Sequence, residues 1–343
     1  MRRGAVLAVL AGLVLATVVA AFVGLGDVAE EIAQRGWRGL AVLVVWSPAP
    51  LLLLGGAWLL AAPPAGPARL PVFVWGRWVR DAGGELLPFS HLGGFVAGAR
   101  AVMLFGLSGR QAFSSTVVDV TAELIAQLGF TGLGLSMLVG RFAAGSARDA
   151  VAVSAAAGLA LTTLAAVAFI VLQRRGGGAV QALARRLLPA AAVASLDDVT
   201  LAIPEIYRHP WRVGGAVAMH LAAWVVSGLG VWLALWVAGV RIDPMAVLAI
   251  ESLVAAARSA VVVAPMGLGV QETAYALVGP ALGLHSDVSL ALSLIRRARD
   301  LLVGAPALLA WQGLEGAKAL RSPPAKAPST PPAQGSSQDR DPG

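Results

Sequence analysis

The sequence contains no cysteine and only two lysines, Lys318 and Lys326, among its 343 residues. Without cysteine there is no disulfide framework, no thiolate metal site and no cysteine nucleophile. Charged residues make up only 13% of the chain, whereas hydrophobic residues make up 57% and the mean hydropathy is +0.76. Because several apolar runs are also long enough to cross a bilayer, this composition predicts an integral membrane protein rather than a water-soluble one.

Nucleotide-binding and catalytic signatures are missing as well. The sequence has no Walker motif and no Ser-His-Asp signature, so we expect neither ATP-driven pumping by this chain alone nor an enzymatic activity. The histidines are too scattered to show ligand spacing, and we predict no metal or other cofactor; they are His91, His209, His220 and His285. The net charge of +7 comes almost wholly from arginines at the ends of apolar runs, which indicates lipid headgroups rather than nucleic acid as partners.

The apolar runs predict an all-α polytopic membrane protein with about six full spans. These spans are 5–26, 37–62, 111–140, 150–172, 213–240 and 287–314. The first run is longer than the apolar region of a signal peptide, which favours a retained helix over a cleaved signal. Residues 63–90 mix aromatics with arginines in "VFVWGRWVRD", a pattern typical of an interfacial elbow helix whose arginines face the cytoplasm.

Two further segments, 89–107 and 245–284, are predicted to be broken or re-entrant hairpins, although a full span over 89–107 remains open. The loop 173–212 carries six arginines against three acidic residues, which places it and both termini in the cytoplasm. The two hairpins must then enter from opposite faces, as in an inverted-repeat transporter whose site lies where the broken pieces meet. We therefore predict a transmembrane domain over 1–318 and a disordered Pro-rich tail over 319–343.

Ionisable residues inside apolar runs are the main functional candidates, because each costs on the order of 2.5–3.5 kcal/mol at the bilayer centre. Asp119, Glu123 and Gln127 follow one another at intervals of four residues and would line a polar stripe on one helix face. A buried polar network that only fixes helix packing is the alternative. Two neighbouring carboxylates also permit acid–base chemistry, but the sequence places no nucleophile or metal ligand beside them.

A second group of candidates lies in the segment 245–284. Glu251 and Arg258 are two turns apart on one helix face and either pair with other helices or flank a cavity. In "PMGLGVQE", a proline and two glycines break the helix just before a carboxylate, at Pro265, Gly267, Gly269 and Glu272. Free backbone groups at membrane depth are tolerated where they line a cavity, so the break indicates a site; a simple kink with a snorkelling glutamate is the alternative.

Arginines form the third group of candidates. "LIRRARD" begins about nine residues into the last run, and Arg100 lies near the centre of 89–107. The motif contains Arg296, Arg297, Arg299 and Asp300. Because arginine suits bidentate phosphate binding, an anionic lipid headgroup is the expected ligand. The alternative is a helix that begins later and leaves these arginines at the interface.

Several of these stretches are similar to a known family. "PMGLGVQE" resembles the Pro/Gly-rich stretch ending in Glu of the lysylphosphatidylglycerol synthase transmembrane, or flippase-like, family. "WVRDAGGELLPFSHLGGFVAGARA", "STVVDVTAELIAQLGFTGLGL" and "RRARDLLVGAPALLAWQ" resemble more closely the hopanoid-biosynthesis-associated membrane proteins of that family. The resemblance covers residues 5–315 and leaves out only the tail. The positions that match the family are Pro265, Gly267, Gly269 and Glu272 at the break and Asp119 and Glu123 on the acidic helix, whereas Met266 stands where a smaller residue is expected.

The resemblance implies a bacterial inner-membrane protein that moves a hopanoid or a related lipid between leaflets or toward the outer membrane. Hopanoid biosynthesis or export proteins are then its expected partners. Aminoacyl transfer is not implied, because the family's synthases carry that chemistry on a separate cytosolic domain. A function of another class also remains open, namely a non-catalytic membrane scaffold for enzymes of lipid or hopanoid biosynthesis, which would tolerate neutral replacement of the intramembrane charges.

Overall fold

The computed structural model describes residues 36–64, 67–86, 90–141, 190–260 and 269–321, together with eight isolated helical positions between 153 and 171. The described residues form helices and no strand, which confirms the predicted all-α fold. Among the described residues, three helical segments are long and apolar enough to cross a membrane: Trp37–Ala61, Gly109–Gly140 and Pro210–Val237. The predicted span 5–26, most of 150–172 and the tail beyond 321 lie outside the described residues.

Ten α-helices are described, and their ends follow familiar signals. In chain order they are α1 (Trp37–Trp46), α2 (Pro48–Ala61), α3 (Leu70–Leu86), α4 (Ser90–Met103), α5 (Gly109–Arg141), α6 (Ala190–Tyr207), α7 (Pro210–Val237), α8 (Pro244–Ala260), α9 (Val270–Ala281) and α10 (Ser286–Arg321). Helices α2, α7 and α8 each begin on a proline, whose missing N–H is not needed there. Ser108 and Gln111 cap α5 reciprocally, through bonds of 3.1 and 3.2 Å between each side chain and the other residue's N–H.

Helix α10 is the longest described element. Its 36 residues correspond to a length of about 54 Å, well beyond the hydrocarbon thickness of a bilayer. Pro306 lies inside it and removes one main-chain hydrogen bond. Close to this proline, the indole Nε1 of Trp78 in α3 donates to the carbonyl oxygen of Val303 at 2.9 Å. Helices α3 and α10 are therefore joined at the point where α10 lacks an internal bond.

Helix α3 is not the interfacial elbow that the sequence predicts. It packs against α2, α4 and α10, and Arg77 and Arg80 are only 4% and 3% exposed. The mixture of aromatics and arginines is typical of an interface, but here the arginines point at carboxylates of α5 instead of lipid headgroups. The predicted interfacial position of Arg77 and Arg80 is therefore wrong.

The predicted break inside 89–107 is also wrong, because α4 runs without interruption from Ser90 to Met103. Its 14 residues span about 21 Å, too short to cross the membrane core. The glycines here serve packing: a Cβ at Gly94 would lie 2.5 Å from the carbonyl oxygen of Arg80. Helix α4 thereby approaches the backbone of α3, and the two helices form a closely packed hairpin.

The predicted break in 245–284 falls between α8 and α9. Pro265 and Gly267 lie outside the described residues, but Gly269 is described and has φ +81°, a conformation that favours glycine. Helix α9 begins at the next residue, and the N–H of Gly269 donates to Glu272 Oε2 at 2.9 Å. The predicted helix break just before the carboxylate of Glu272 is therefore confirmed at its end, where α9 begins.

Candidate functional site

The first charge cluster joins α3, α5 and α7, and it consists of Arg77, Arg80, Asp119, Glu123 and His220. Arg77 Nη2 donates to Glu123 Oε1 at 2.7 Å, and Arg80 Nη2 donates to Glu123 Oε2 at 2.5 Å. Asp119 accepts a hydrogen bond from Arg80 and lies 3.4 Å from Arg77 Nη1. Two carboxylates one turn apart on α5 are therefore shared between the same two guanidinium groups of α3.

Asp119 has a third partner in His220. Its Oδ1 lies 2.9 Å from the imidazole Nε2, and both side chains are fully buried. His220 Nδ1 has no hydrogen-bond partner among the described residues, so the ring is held through Nε2 alone. For Asp119, this geometry fits the alternative of a buried polar network that fixes helix packing. Glu123 differs, because it also lines the cavity described below.

The donor atoms of Asp119, Glu123 and His220 lie within 4.8 Å of one another, as metal ligands do. The histidines are far apart in sequence, but folding brings His220 beside the carboxylates, which sequence spacing does not reveal. Arg77 and Arg80 pair with both carboxylates and supply the positive charge that a cation would provide. The described arrangement is therefore an ion-pair network in which arginines stand in the place of a metal ion.

The second charge cluster joins α3 and α8 with α9 and α10, and it consists of Glu85, Glu251, Arg258, Tyr275 and Arg296. Glu251 accepts hydrogen bonds from the Tyr275 hydroxyl on one oxygen and from Arg296 on the other. Arg258 pairs with Glu85. The two candidates that the sequence places on one face of α8 thus pair with other helices and also flank the cavity.

The arginines of α3 and α10 lie in the same local pattern, Arg-x-x-Arg-Asp. The α3 copy is Arg77, Arg80 and Asp81, and the α10 copy is Arg296, Arg299 and Asp300. The first arginine of each copy pairs with a carboxylate from another helix. The second arginines differ. Arg80 is held between two carboxylates of α5, whereas the polar partners of Arg299 among the described residues are Asp300 at 2.6 Å and the Ser47 hydroxyl at 3.0 Å.

A cavity of about 490 Å³ lies between the two clusters. Five arginines line it, namely Arg77, Arg80, Arg258, Arg296 and Arg299. Five carboxylates line it as well, namely Asp81, Glu85, Glu123, Glu251 and Asp300. Apolar and aromatic side chains form other parts of the wall, among them Leu51, Leu54, Trp78, Phe95, Phe130 and Trp224. The cavity therefore offers both a polar and an apolar wall, as an amphiphilic ligand requires.

The remaining predicted residues divide between the cavity and its surroundings. Gln127 lines the cavity and donates to the Ser259 hydroxyl at 2.6 Å across to α8. Arg100 is exposed and pairs with Glu315 of α10 at 3.0 Å. Glu272 pairs with Arg297 at 2.5 Å rather than with Arg258, and the described cavity includes neither residue of this pair.

Sequence reasoning missed several residues of the site, foremost Arg77, Arg80, Glu85, His220 and Tyr275. Charge compensation is one signal that points to the arginines, since carboxylates at membrane depth require partners of opposite charge. The repeated Arg-x-x-Arg-Asp pattern is another, because its α10 copy was already a candidate. No sequence pattern marks His220 or Tyr275, whose partners lie 101 and 24 positions away along the chain.

A family model described as the lysylphosphatidylglycerol synthase TM region matches residues 6–307 of the chain. No curated protein and no solved structure matches it significantly. The matched residues include the helices that carry both charge clusters and the cavity.

Proposed function

Because the chain belongs to the family of the lysylphosphatidylglycerol synthase TM region, it is a membrane protein related to lipid handling, and we propose that it translocates a lipid. The substrate is a hopanoid or a related lipid, moved between leaflets or toward the outer membrane. The protein resides in the bacterial inner membrane and resembles the hopanoid-biosynthesis-associated branch of the family.

The cavity is the observation that carries this proposal. It is bounded by segments long enough to span a membrane, including Gly109–Gly140 and Pro210–Val237, and its wall combines paired charges with aromatic rings. A translocator must hold a polar head group away from hydrocarbon while the chains remain in an apolar environment. Intramembrane charges that are paired with one another and line a cavity are typical of a substrate pathway.

The proposal assigns no catalytic step to the chain. Each carboxylate that lines the cavity lies in an ion pair with an arginine, so we assign these carboxylates to charge pairing rather than to proton transfer. The proposed layout has both termini in the cytoplasm, six full spans and a re-entrant hairpin over 245–284. Reporter fusions after residues 30 and 145 should report a position outside the cytoplasm, and fusions after residues 190 and 320 a position inside it. A periplasmic signal at 190 would overturn the proposed layout.

Reconstitution of the full chain tests the proposed activity. Proteoliposomes would contain a lipid with a fluorescent acyl chain, and dithionite added outside would bleach only the outer leaflet. We expect bleaching of inner-leaflet label at a rate that increases with protein content and exceeds that of protein-free vesicles. No increase for any lipid head group would reject the translocator.

A comparison of membranes from a deletion strain separates the translocator from the scaffold. Translocation predicts a changed distribution of polycyclic lipid between inner and outer membranes at constant total content. A fall in total content with an unchanged distribution would instead indicate a scaffold for biosynthetic enzymes.

A further inference from the structure

The charges that line the cavity cancel, with five arginines against five carboxylates among the described residues. We propose that the cavity selects a lipid head group that carries no net charge and presents hydroxyl groups as its polar atoms. This inference rests on the proposed lipid function and narrows its substrate to one chemical class. It replaces the anionic headgroup that the arginine-rich motif alone predicts.

Pairing of the charges decides against a charged head group. Arg258 pairs with Glu85, and Arg296 pairs with Glu251. A phosphate would compete with these carboxylates for the guanidinium groups and leave a carboxylate without its partner. An ammonium group would displace an arginine in the same way. Either exchange leaves a buried charge without compensation, which is strongly unfavourable.

Hydroxyl groups do not compete in this way, because each one both donates and accepts hydrogen bonds. A hydroxyl can accept from a guanidinium N–H and donate to the neighbouring carboxylate while their ion pair stays intact. Trp78, Phe95 and Trp224 line the same cavity and offer apolar surfaces for the carbon skeleton of such a head group. The lining thus accommodates a polyol or a sugar without loss of any described ion pair.

Arg299 and Asp300 are the pair most open to such a ligand. Arg299 Nε donates to the Ser47 hydroxyl and Nη1 donates to Asp300, whereas Nη2 has no hydrogen-bond partner among the described residues. The Arg299 side chain is 25% exposed and lines the cavity, as Asp300 does. A hydroxyl group that accepts from Nη2 would therefore add a bond to this pair without breaking one.

Native mass spectrometry of the full chain, equilibrated with an equimolar lipid mixture, tests the selectivity. The probes share one acyl composition: glucosyl diacylglycerol, phosphatidylglycerol and phosphatidylcholine. Phosphatidylglycerol also carries hydroxyls, so its comparison with the glucosyl lipid isolates the effect of charge. We expect the glucosyl lipid to be enriched at least about tenfold over both phospholipids. Equal occupancy, or preference for either phospholipid, would overturn the inference.

Charge variants show whether the selectivity comes from the cavity. Asp300→Asn leaves Arg299 without its carboxylate and should increase the share of bound phosphatidylglycerol. The double variant Arg299→Gln with Asp300→Asn restores neutrality and should again exclude phosphatidylglycerol. Asp287→Asn is the matched control, since Asp287 lies exposed on the same helix and outside the cavity. Identical selectivity in all four proteins would overturn the cavity as its source.

The binding measurement tests the head-group class, and the translocation measurement tests the proposed function, so each can be rejected without the other. Translocation of all three probes at equal rates, with no selectivity in binding, would retain the proposed function and overturn the inference. Selective binding without translocation of any probe would support the head-group class and reject the translocator.

Discussion

The two Arg-x-x-Arg-Asp copies share a local sequence but differ in their surroundings. In the α3 copy, Arg77 and Arg80 are almost completely buried between Asp119 and Glu123. In the α10 copy, the described residues give Arg299 two polar partners, its sequence neighbour Asp300 and the Ser47 hydroxyl. The same pattern therefore supports two roles, a closed network that holds helices together and an open pair that is available to a ligand.

This difference shows that the number of carboxylates around an arginine, rather than the motif, determines its role. Arg80 is shared by two carboxylates of another helix, so its removal would leave buried negative charge. Arg299 has one carboxylate, adjacent in sequence and on the same helix, which cannot fix one helix against another. The predictions below test this contrast.

Arg80→Gln should have the largest effect. It leaves Arg77 as the one arginine shared by Asp119 and Glu123 among the described residues, and breaking a buried ion pair from one side costs about 3–5 kcal/mol. We expect a much lower thermal unfolding midpoint of the detergent-purified protein. Arg299→Gln is the matched control at the equivalent position and should lower stability by less than about 1 kcal/mol. Equal midpoints for the two variants would remove the contrast between the copies.

Gly94→Ala should have the next largest effect, because it would displace α3 from the position that buries its motif. A Cβ at Gly94 would lie 2.5 Å from the carbonyl oxygen of Arg80 and 2.7 Å from the N atom of Gly84. Overpacking of this kind costs about 1–3 kcal/mol. A Cβ at the neighbouring Gly93 would meet no atom within 4 Å, so Gly93→Ala serves as control and should leave the unfolding midpoint unchanged. A midpoint for Gly94→Ala that equals the control would disprove the close contact.

Arg299→Gln should reduce the rate of lipid translocation rather than the stability of the protein. The substitution removes the guanidinium with the free Nη2 group while Ser47 and Asp300 remain. We expect about a tenfold lower translocation rate of the preferred lipid, equivalent to loss of about 1.4 kcal/mol of binding. Translocation is measured by dithionite bleaching at matched protein content. A wild-type rate in this variant would place ligand binding elsewhere.

Glu272→Gln should have the smallest effect. Glu272 accepts from the N–H of Gly269 and pairs with Arg297, but it does not line the described cavity. A partly exposed ion pair and a helix cap each contribute about 1 kcal/mol or less. We expect a slightly lower unfolding midpoint and a wild-type translocation rate. A rate reduced as strongly as in Arg299→Gln would extend the site to the start of α9.

The sequence predicted well what depends on local signals. Apolar runs located three helices among the described residues that are long and apolar enough to span a membrane, and the glycine at 269 located the start of α9. The sequence predicted poorly the features that depend on contacts with other helices. Aromatics mixed with arginines indicate an interface on average, and only the position of Asp119 and Glu123 on a neighbouring helix places Arg77 and Arg80 inside. Gly94 likewise indicates a helix break from sequence alone, but in the structure it allows α4 to pack closely against the backbone of α3.

Pro306 creates a point in α10 at which the helix can bend. A helix bends most easily where a turn lacks its internal bond, and this turn lies just past Arg299 and Asp300. The Trp78 indole holds the Val303 carbonyl at the same level and belongs to α3, the helix fixed by the first charge cluster. Beyond the proline, α10 also packs against α3, because Ala307 and Leu308 are buried in one cluster with Val79 and Ala82. Glu315, farther along α10, also pairs with Arg100 of α4. A bend at Pro306 would therefore carry the α3–α4 hairpin along with the end of α10, while the head-group contacts before the proline stay in place.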